Sequence, residues 1–547
     1  MKHETILIEE DPRADEAIAR WDELKRDRAH FESDWEEMSR LIRPQRGGFV
    51  SADPGAARNE KALSSAPMIA QSNFASGLYG TMTNPANRWM SVAVSDPELA
   101  EFHSVKLWQN IVSDRILASF RPSISSFYSS AIQMFGDLST FGNGAQYDEV
   151  RDGEGKILDV TLSLAEVVYD IDAFGRVVEV VRKFKITARA AVDMFGLDNL
   201  PKKVQDMAIK GSRDKLDFFH HVQKNMDWQK GRIGPGGKLW ASLYVCAEGR
   251  AVVRNSGYDE MPFHAPRWEV DTGQIYGRGP GSTALPSARV VNRMEETNLR
   301  AAMKAADPTL LAPDREAMPI DGVVRPGEVL YGGVNFQGQK MIHSLDNYGG
   351  TGLTIEMADR KMEDIRDAFH WSLMNLAGRT GITDLEALDR QEANMRLMAP
   401  HMGRVQEEYL APKIARRFNL LWRAGQLPPP PPELKEGVGL EARYESAAAQ
   451  AQRSAEGASV IRLVNDLAPL AQIKPRLMDR LSADDLVETL HEARGVPSRV
   501  LLSREAADKI GEQRAQQEQN QQAMEMAQAG GGVMKDMAQA QAAGAVA

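Results

Sequence analysis

The stretch TGLTIEMADRKMEDIRDAFHWSLMNLAG, residues 351–378, decides the fold. Ala358, Met362, Ile365, Phe369, Ser372 and Leu376 recur along it in steps of four and three. That spacing is one narrow stripe of an α-helix. The other faces carry Asp359, Arg360, Lys361, Glu363, Asp364, Arg366 and Asp367. So thin a seam buries little alone, and the helix needs a neighbour. One lies upstream. ALPSARVVNRMEETNLRAAMKAADP, residues 284–308, predicts a second charged helix that starts near Pro286 and stops at Pro308. Between the two, residues 309–350 hold short apolar pieces broken by prolines and glycines, a turn-rich insert. A loop, GRTGITDLEAL, residues 378–388, follows the second helix. A long helix from about Asp389 to Ala424 comes next, and Pro400 and Pro412 should kink it. Two antiparallel helices with charged outer faces make sense when copies of the chain complete each other. A ring of such hairpins would be a tube with charge lining its bore.

The flanking segments read as follows. From Pro12 to Ile42, Ile18, Trp21, Leu24, Phe31, Trp35, Met38 and Ile42 form the stripe of one long helix, ended by Pro44 and Gly47-Gly48. A second helix is expected from about Leu63 and stops at Asn84-Pro85. RWMSVAV, residues 88–94, then alternates as a strand. Helices are expected at 105–120 and 125–138, and residues 145–270 are β-rich, interrupted by a helix at 187–195. GQLPPPPPELK, residues 425–435, is a polyproline strut, GLEARYES (439–446) a further strand, and the Gln- and Ala-rich end is low-complexity.

Composition narrows the function. A chain of 547 residues holds two to four packed regions. A single cysteine, Cys246, excludes an intramolecular disulfide framework and suits a reducing compartment. No charge-free apolar run approaches the ~18 residues of a bilayer crossing, and MKHETILIEEDPRADEA carries no secretory signal. The formal net charge is −10. Strong phosphate capture calls for a basic surplus, so any hold on nucleic acid is weak or local.

No catalytic constellation emerges. His220-His221 are adjacent on a predicted strand, so they face opposite ways and do not chelate one metal. GRGPGS, residues 277–282, lacks the strand–glycine–helix context of a dinucleotide site and reads as a hinge. ASGLYGTMTNP (75–85) has no Lys-Ser/Thr after its glycines, so it is a helix-to-strand corner and not a phosphate loop. No G-x-S-x-G elbow is present. No catalytic, cofactor or metal residues are assigned. The alternative is an intracellular enzyme or nucleotide-binding protein with a helical oligomerisation arm.

Several pieces in order carry a resemblance. They are RWDELKRDRAHFESDWEEMSRLIRP (20–44), ASGLYGTMTNPANRWMSV (75–92), IYGRGPGSTALPSARVVNRME (275–295), YLAPKIARRFNLLWRAGQLPPPPPEL (409–434) and ARYESAAAQAQRSAE (442–456). Over roughly residues 15–515 the chain resembles the portal, or head-to-tail connecting, proteins of short-tailed bacteriophages. Asn87-Arg88 before Trp89 and Met90 after it depart from the Pro-Trp-Phe pairing of that corner. The resemblance implies an α+β portal-type fold assembled as a ring of twelve. An α/β wing would occupy 1–282, stem helices 283–307 and 352–377, and a small β-containing clip 308–351. A tunnel loop would occupy 378–388, a long kinked wing helix 389–425 and the proline-rich strut 426–439. The wing return strand and crown helices would fill 440–515, leaving a tail at 516–547 as a barrel helix or disordered.

It also implies a non-enzymatic channel for double-stranded DNA, bound without sequence preference, at the capsid vertex of a virion assembled in the host cytoplasm. Partners would be the chain itself, major capsid and scaffolding proteins, the terminase motor and tail adaptors, with no membrane and no cofactor. The tunnel-loop candidates are Gly378, Arg379, Thr380 and Gly381, and the stem-seam candidates Met362, Ile365, Phe369 and Leu376. Arg293, Arg300 and Lys304 are candidates to face the channel.

Overall fold

The computed structural model describes residues 11–46, 48–49, 62–100, 102–151, 156–306, 310–311, 334–341, 343–344, 351–371, 398–434, 440–444 and short runs between 457 and 521. They divide into two compact units, one from residues 1–89 with 116–424 and the other from 90–115 with 425–547.

In the first unit, the single N-terminal helix expected from the apolar stripe is two, α1 (Pro12–Asp27) and α2 (Ala29–Leu41). The break sits at Arg28. Its side chain is wholly buried and donates to the Leu164 and Val167 carbonyls at 2.7 and 2.6 Å, and to Glu32 at 2.7 Å. Satisfying a buried guanidinium outweighs continuing a helix for one more residue.

The β-rich stretch forms an antiparallel five-stranded sheet of β4 (Val167–Ile171), β5 (Val177–Thr187), β6 (Lys215–Lys224), β7 (Trp240–Cys246) and β8 (Ala251–Tyr258), in sequence order. Both faces are covered. α1 lays Ala14, Ala17, Trp21 and Leu24 on Val168, Val181, Phe219 and Val245. On the other face, α7 (Ala188–Phe195) and α8 (Lys202–Ile209) cover Phe184, Phe218, Tyr244 and Cys246. Neighbours Phe218 and Phe219 thus serve opposite cores, the period-two logic of a strand. His220 and His221 divide likewise. His220 stacks on Tyr244, ring centroids 3.9 Å apart, and contacts Ser242 Oγ at 3.0 Å, whereas His221 meets Glu179 at 2.7 Å.

A smaller sheet, β3 (Lys156–Thr161), β2 (Gln146–Arg151) and β9 (Phe263–His264), packs against α6 (Phe127–Phe141), on which α3 (Ala66–Met82) lies in turn.

Two charged helices follow, α9 (Pro280–Ala306) and α10 (Thr351–Ala368). α9 starts earlier than expected and carries Pro286 inside it. Pro280 suits a first helical turn, and packing on α6 holds the turns around Pro286. A further helix, α11, spans 398–423. Its residues Gln406–Leu410 are a π-turn and Ala411–Arg423 regular α-helix. The irregularity falls just before Pro412, whose ring and missing N–H disturb the ladder there.

The second unit pairs β1 (Met90–Val94) antiparallel with β12 (Leu440–Tyr444), Met90 opposite Tyr444 and Val94 opposite Leu440. α4 (Pro97–Ala100) and α5 (His103–Ser119, whose last turn falls in the first unit) follow β1. Ser113 Oγ accepts from Val92 N at 2.8 Å, and Trp108 Nε1 donates to the Pro428 carbonyl of the proline strut at 3.0 Å.

Within the expected clip, β10 (Leu310–Leu311) pairs antiparallel with β11 (His343–Ser344). The rest of that segment, apart from 334–341, lies outside the described residues, as do the whole of 378–388 and most of the expected crown and tail.

Candidate functional site

α9 and α10 pack along each other and form the predicted hairpin. Arg293, Arg300 and Lys304 are exposed on α9. Arg300 pairs with Glu296 at 2.6 Å, and Arg293 reaches the same carboxylate at 4.0 Å. On α10, Arg360 pairs with Glu356 at 3.0 Å and Lys361 with Asp364 at 2.6 Å. Such i,i+3 and i,i+4 pairs add only tenths of a kcal/mol each. Their larger effect is to place a carboxylate beside Arg293, Arg300, Arg360 and Lys361.

The proposed seam changes character in the structure. Ala358, Ile365 and Phe369 are buried, Ile365 and Phe369 completely. α10 also touches α3, where the Phe369 ring lies 6.3 Å from that of Phe74. Both side chains are packed within their own chain, Phe369 against Phe74 of α3. Met362 is partly exposed, and Leu376 lies outside the described residues. The exposed apolar residues of the hairpin are instead Val290, Leu299, Met303, Ile355 and Met357.

Both ends of the described hairpin are anchored. At the close of α10, His370 adopts φ +49° and turns the chain sharply, its ring 5.9 Å from Phe74. Phe74 also packs on Trp268, on which His401 of α11 stacks at 4.8 Å. Burial and then His401 push the His370 imidazole below its ordinary range, while Asp367 acts the other way.

At the start of α9, GRGPGS is no hinge. Asn143 Nδ2 donates to the Gly277 carbonyl, and Gly277 N donates to Asn143 Oδ1, both at 2.8 Å. A Cβ on Gly281 would stand 2.1 Å from the Thr140 carbonyl oxygen. The glycines permit backbone-to-backbone packing, which fixes the helix rather than freeing it.

The sequence reading missed a buried ionic network. α11 carries Lys413, Arg416 and Arg417 inward onto Asp148 of β2 and Asp159 of β3. Lys413 Nζ is 2.5 Å from Asp159 and 3.6 Å from Asp148, Arg416 Nε 3.0 Å from Asp148, and Arg417 Nη2 2.5 Å from Asp159. Burial alone would raise both carboxyls. The surrounding cations, with His264 beside Asp148, overrule it and hold Asp148 well below the ordinary range and Asp159 below it. His264, 3.4 Å from Asp148, is pushed down chiefly by burial. The run KIARR (413–417) carried the signal: on one helix turn those three cations share the inner face with Ile414.

Glu408 in the π-turn takes Arg267 at 2.7 Å. The described residues hold no cluster of three or more metal-ligating side chains, and no helix among them is long and apolar enough to cross a membrane. With several of its cations paired to carboxylates and its helices held at the base, this arrangement is built to hold a shape.

Comparison with known proteins gives that shape a class. The family model of the bacteriophage head to tail connecting proteins matches residues 14–502, and this chain belongs to that family. A portal protein of Salmonella phage epsilon15 is 29% identical over 532 residues, covering 95% of this chain and 94% of the relative. A probable portal protein of Bordetella phage BPP-1 is 28% identical over 517 residues, covering 92% and 91%. A chain in the neck of a native GTA particle covers 71% of this chain at 13% identity with a TM-score of 0.30, too loose a superposition to carry an argument. The function is the family's, connection of head to tail, and the enzyme alternative finds no support.

Proposed function

We propose that the chain is the portal subunit of a phage head: copies close into a ring, twelve in number, around a channel for double-stranded DNA at one capsid vertex. The family match over 14–502, with portal relatives aligned across nearly the whole chain, carries this reading. The first unit's sheet and helices serve as the wing, α9 and α10 as the stem, 308–351 as the clip, and the residues after 440 as the crown.

The physics of the stem suits the task. A duplex must slide, and strong capture of its phosphates would stall it. Stem cations paired to carboxylates, on a chain of net charge −10, give such a duplex few places to stick. Arg293, Arg300 and Lys304 are then sparse positive points near the bore. Gly378, Arg379, Thr380 and Gly381, outside the described residues, form the loop that reaches the DNA. The chain does no chemistry on DNA. A separate packaging motor docks on the clip, tail adaptors follow it, and capsid and scaffolding proteins surround the wing.

Mass photometry and negative-stain microscopy of the purified chain test this. Closed rings near twelve times the 60.5 kDa chain, with no thermal shift on adding ATP or NAD, are expected. A stable monomer, or a nucleotide-stabilised dimer, would reject it. Deleting 378–384 should leave rings intact while impairing filling or retention of DNA.

A further inference from the structure

α10 is broken where its sequence is not. From Leu353 to Ala377 the chain contains neither proline nor glycine, and the apolar steps Ile365, Phe369 and Ser372 continue without a change of period. Such a pattern asks for one helix. In the structure α10 stops at Ala368, His370 takes φ +49°, and Trp371 is helical again. The break is two residues wide. A left-handed backbone is disfavoured for a residue with the bulk of histidine, so contacts from elsewhere in the chain impose this one. Those contacts are aromatic. The His370 ring lies 5.9 Å from Phe74 and Phe74 lies 5.6 Å from Trp268. On Trp268 the His401 imidazole stacks at 4.8 Å with 9° between the planes.

A broken and a continuous helix give the His370 imidazole different surroundings. In the break it is half-buried, and burial and then His401 hold it below its ordinary 6.5 against the pull of Asp367. In a continuous helix it would stand over Arg366 and Asp367, four and three positions back, both exposed. There a charged imidazolium is hydrated. Arg366 opposes it, while Asp367 and, a turn further back, Glu363 favour it. Phe369 keeps its step of four from Ile365 in both states, so its burial is not at stake. The other neighbours are balanced. α3 carries no acid or base from Ala66 to Leu78, and the first charged residue of α9, Arg289, is paired with Glu37 at 2.5 Å. Arg404 of α11 and Arg267 beside Trp268 lie 3.5 and 2.7 Å from Glu408, and Glu269 is exposed.

We propose that Phe369-His370 is a proton-sensitive hinge: while His370 is neutral, the stack with Phe74, Trp268 and His401 holds the break, and once His370 is protonated α10 continues through it into Trp371. The sign follows from linkage. The continuous helix binds the proton more tightly than the break does, so the proton draws population toward the continuous helix. The break is therefore complete above about pH 6.5, the ordinary imidazole value, and is lost as pH falls below it. The hinge belongs to the single chain and needs no second copy. It makes the direction in which the chain leaves the hairpin depend on pH.

Amide hydrogen exchange of the full-length chain, read by mass spectrometry on peptides spanning Arg366–Trp371 and corrected for the intrinsic effect of pH, tests the hinge. Amides that join a helical ladder exchange slowly, so protection there should rise about tenfold between about pH 7.5 and about pH 5 while the five-stranded sheet stays level. His370→Gly accepts the left-handed backbone without strain and carries no proton site, so its protection should not change with pH. His370→Ala, a strong helix former, should be protected already at neutral pH. His401→Gln removes a like charge and should move the wild-type midpoint to higher pH. Level protection in the wild type, an equal rise in His370→Gly, or protection lost throughout the chain in acid would overturn the hinge. An unmoved midpoint in His401→Gln would overturn the part given to that imidazole.

Discussion

Lys413 Nζ lies 2.5 Å from Asp159 Oδ1, and neither side chain has any exposed surface. The pair belongs to a network in which three cations of α11 face two carboxylates of the β2–β3 hairpin. Its net value relative to an apolar core is small, because desolvating the ions offsets their attraction. Its directional value is larger: it fixes which turn of α11 meets which strand.

Removing one member should therefore hurt more than removing a matched pair. Lys413→Met should lower stability by about 3–5 kcal/mol in urea unfolding, since Asp159 and Asp148 are left undercompensated. Adding Asp159→Asn to that variant should recover at least ~1 kcal/mol, the signature of direct coupling. Additive losses would place the two outside a shared network.

Glu179 gives the sheet an acid-sensitive tie. Burial pushes its carboxyl up, but hydrogen bonds from His221 and Arg20 bring it down to about 2 from an ordinary 4.5. A depressed carboxyl stabilises the fold fully above the unfolded value and loses that contribution as pH falls from about 4.5 to 2. The shift corresponds to about 3 kcal/mol. Glu179→Gln should flatten the stability profile over that window, read from chemical unfolding at a series of pH values.

Two glycines should respond with opposite signs. Gly281→Ala drives a methyl against the Thr140 carbonyl and should cost about 1–3 kcal/mol. Gly80 in α3 has open space around it, and Gly80→Ala should stabilise by up to ~1 kcal/mol through helix propensity. Thermal melts of both separate packing from backbone entropy.

On the hairpin, depth should decide the outcome. Phe369→Ala empties a fully buried site and should cost about 3–5 kcal/mol, lowering the melting temperature of the chain itself. Arg300→Gln, on the exposed face, should stay within ±0.5 kcal/mol. If Phe369→Ala melted like wild type while rings dissociated, the side chain would belong to an interface after all.

The apolar period of residues 351–378, the proline stops and the alternating strands were enough to locate the hairpin, the sheet region and the order of elements, because those patterns answer to local geometry. Local geometry also separated His220 from His221. It could not show that Arg28 divides the first helix, because the carbonyls it satisfies belong to Leu164 and Val167, more than a hundred residues away. Nor could it show that Ile365 and Phe369 are filled from within the chain, that GRGPGS is clamped by Asn143 and Thr140, or that MSVAV at 90–94 pairs with LEARY at 440–444. Each depends on which distant backbone comes to lie opposite. A periodic sequence tells which face of an element must be covered; only the folded chain tells by what.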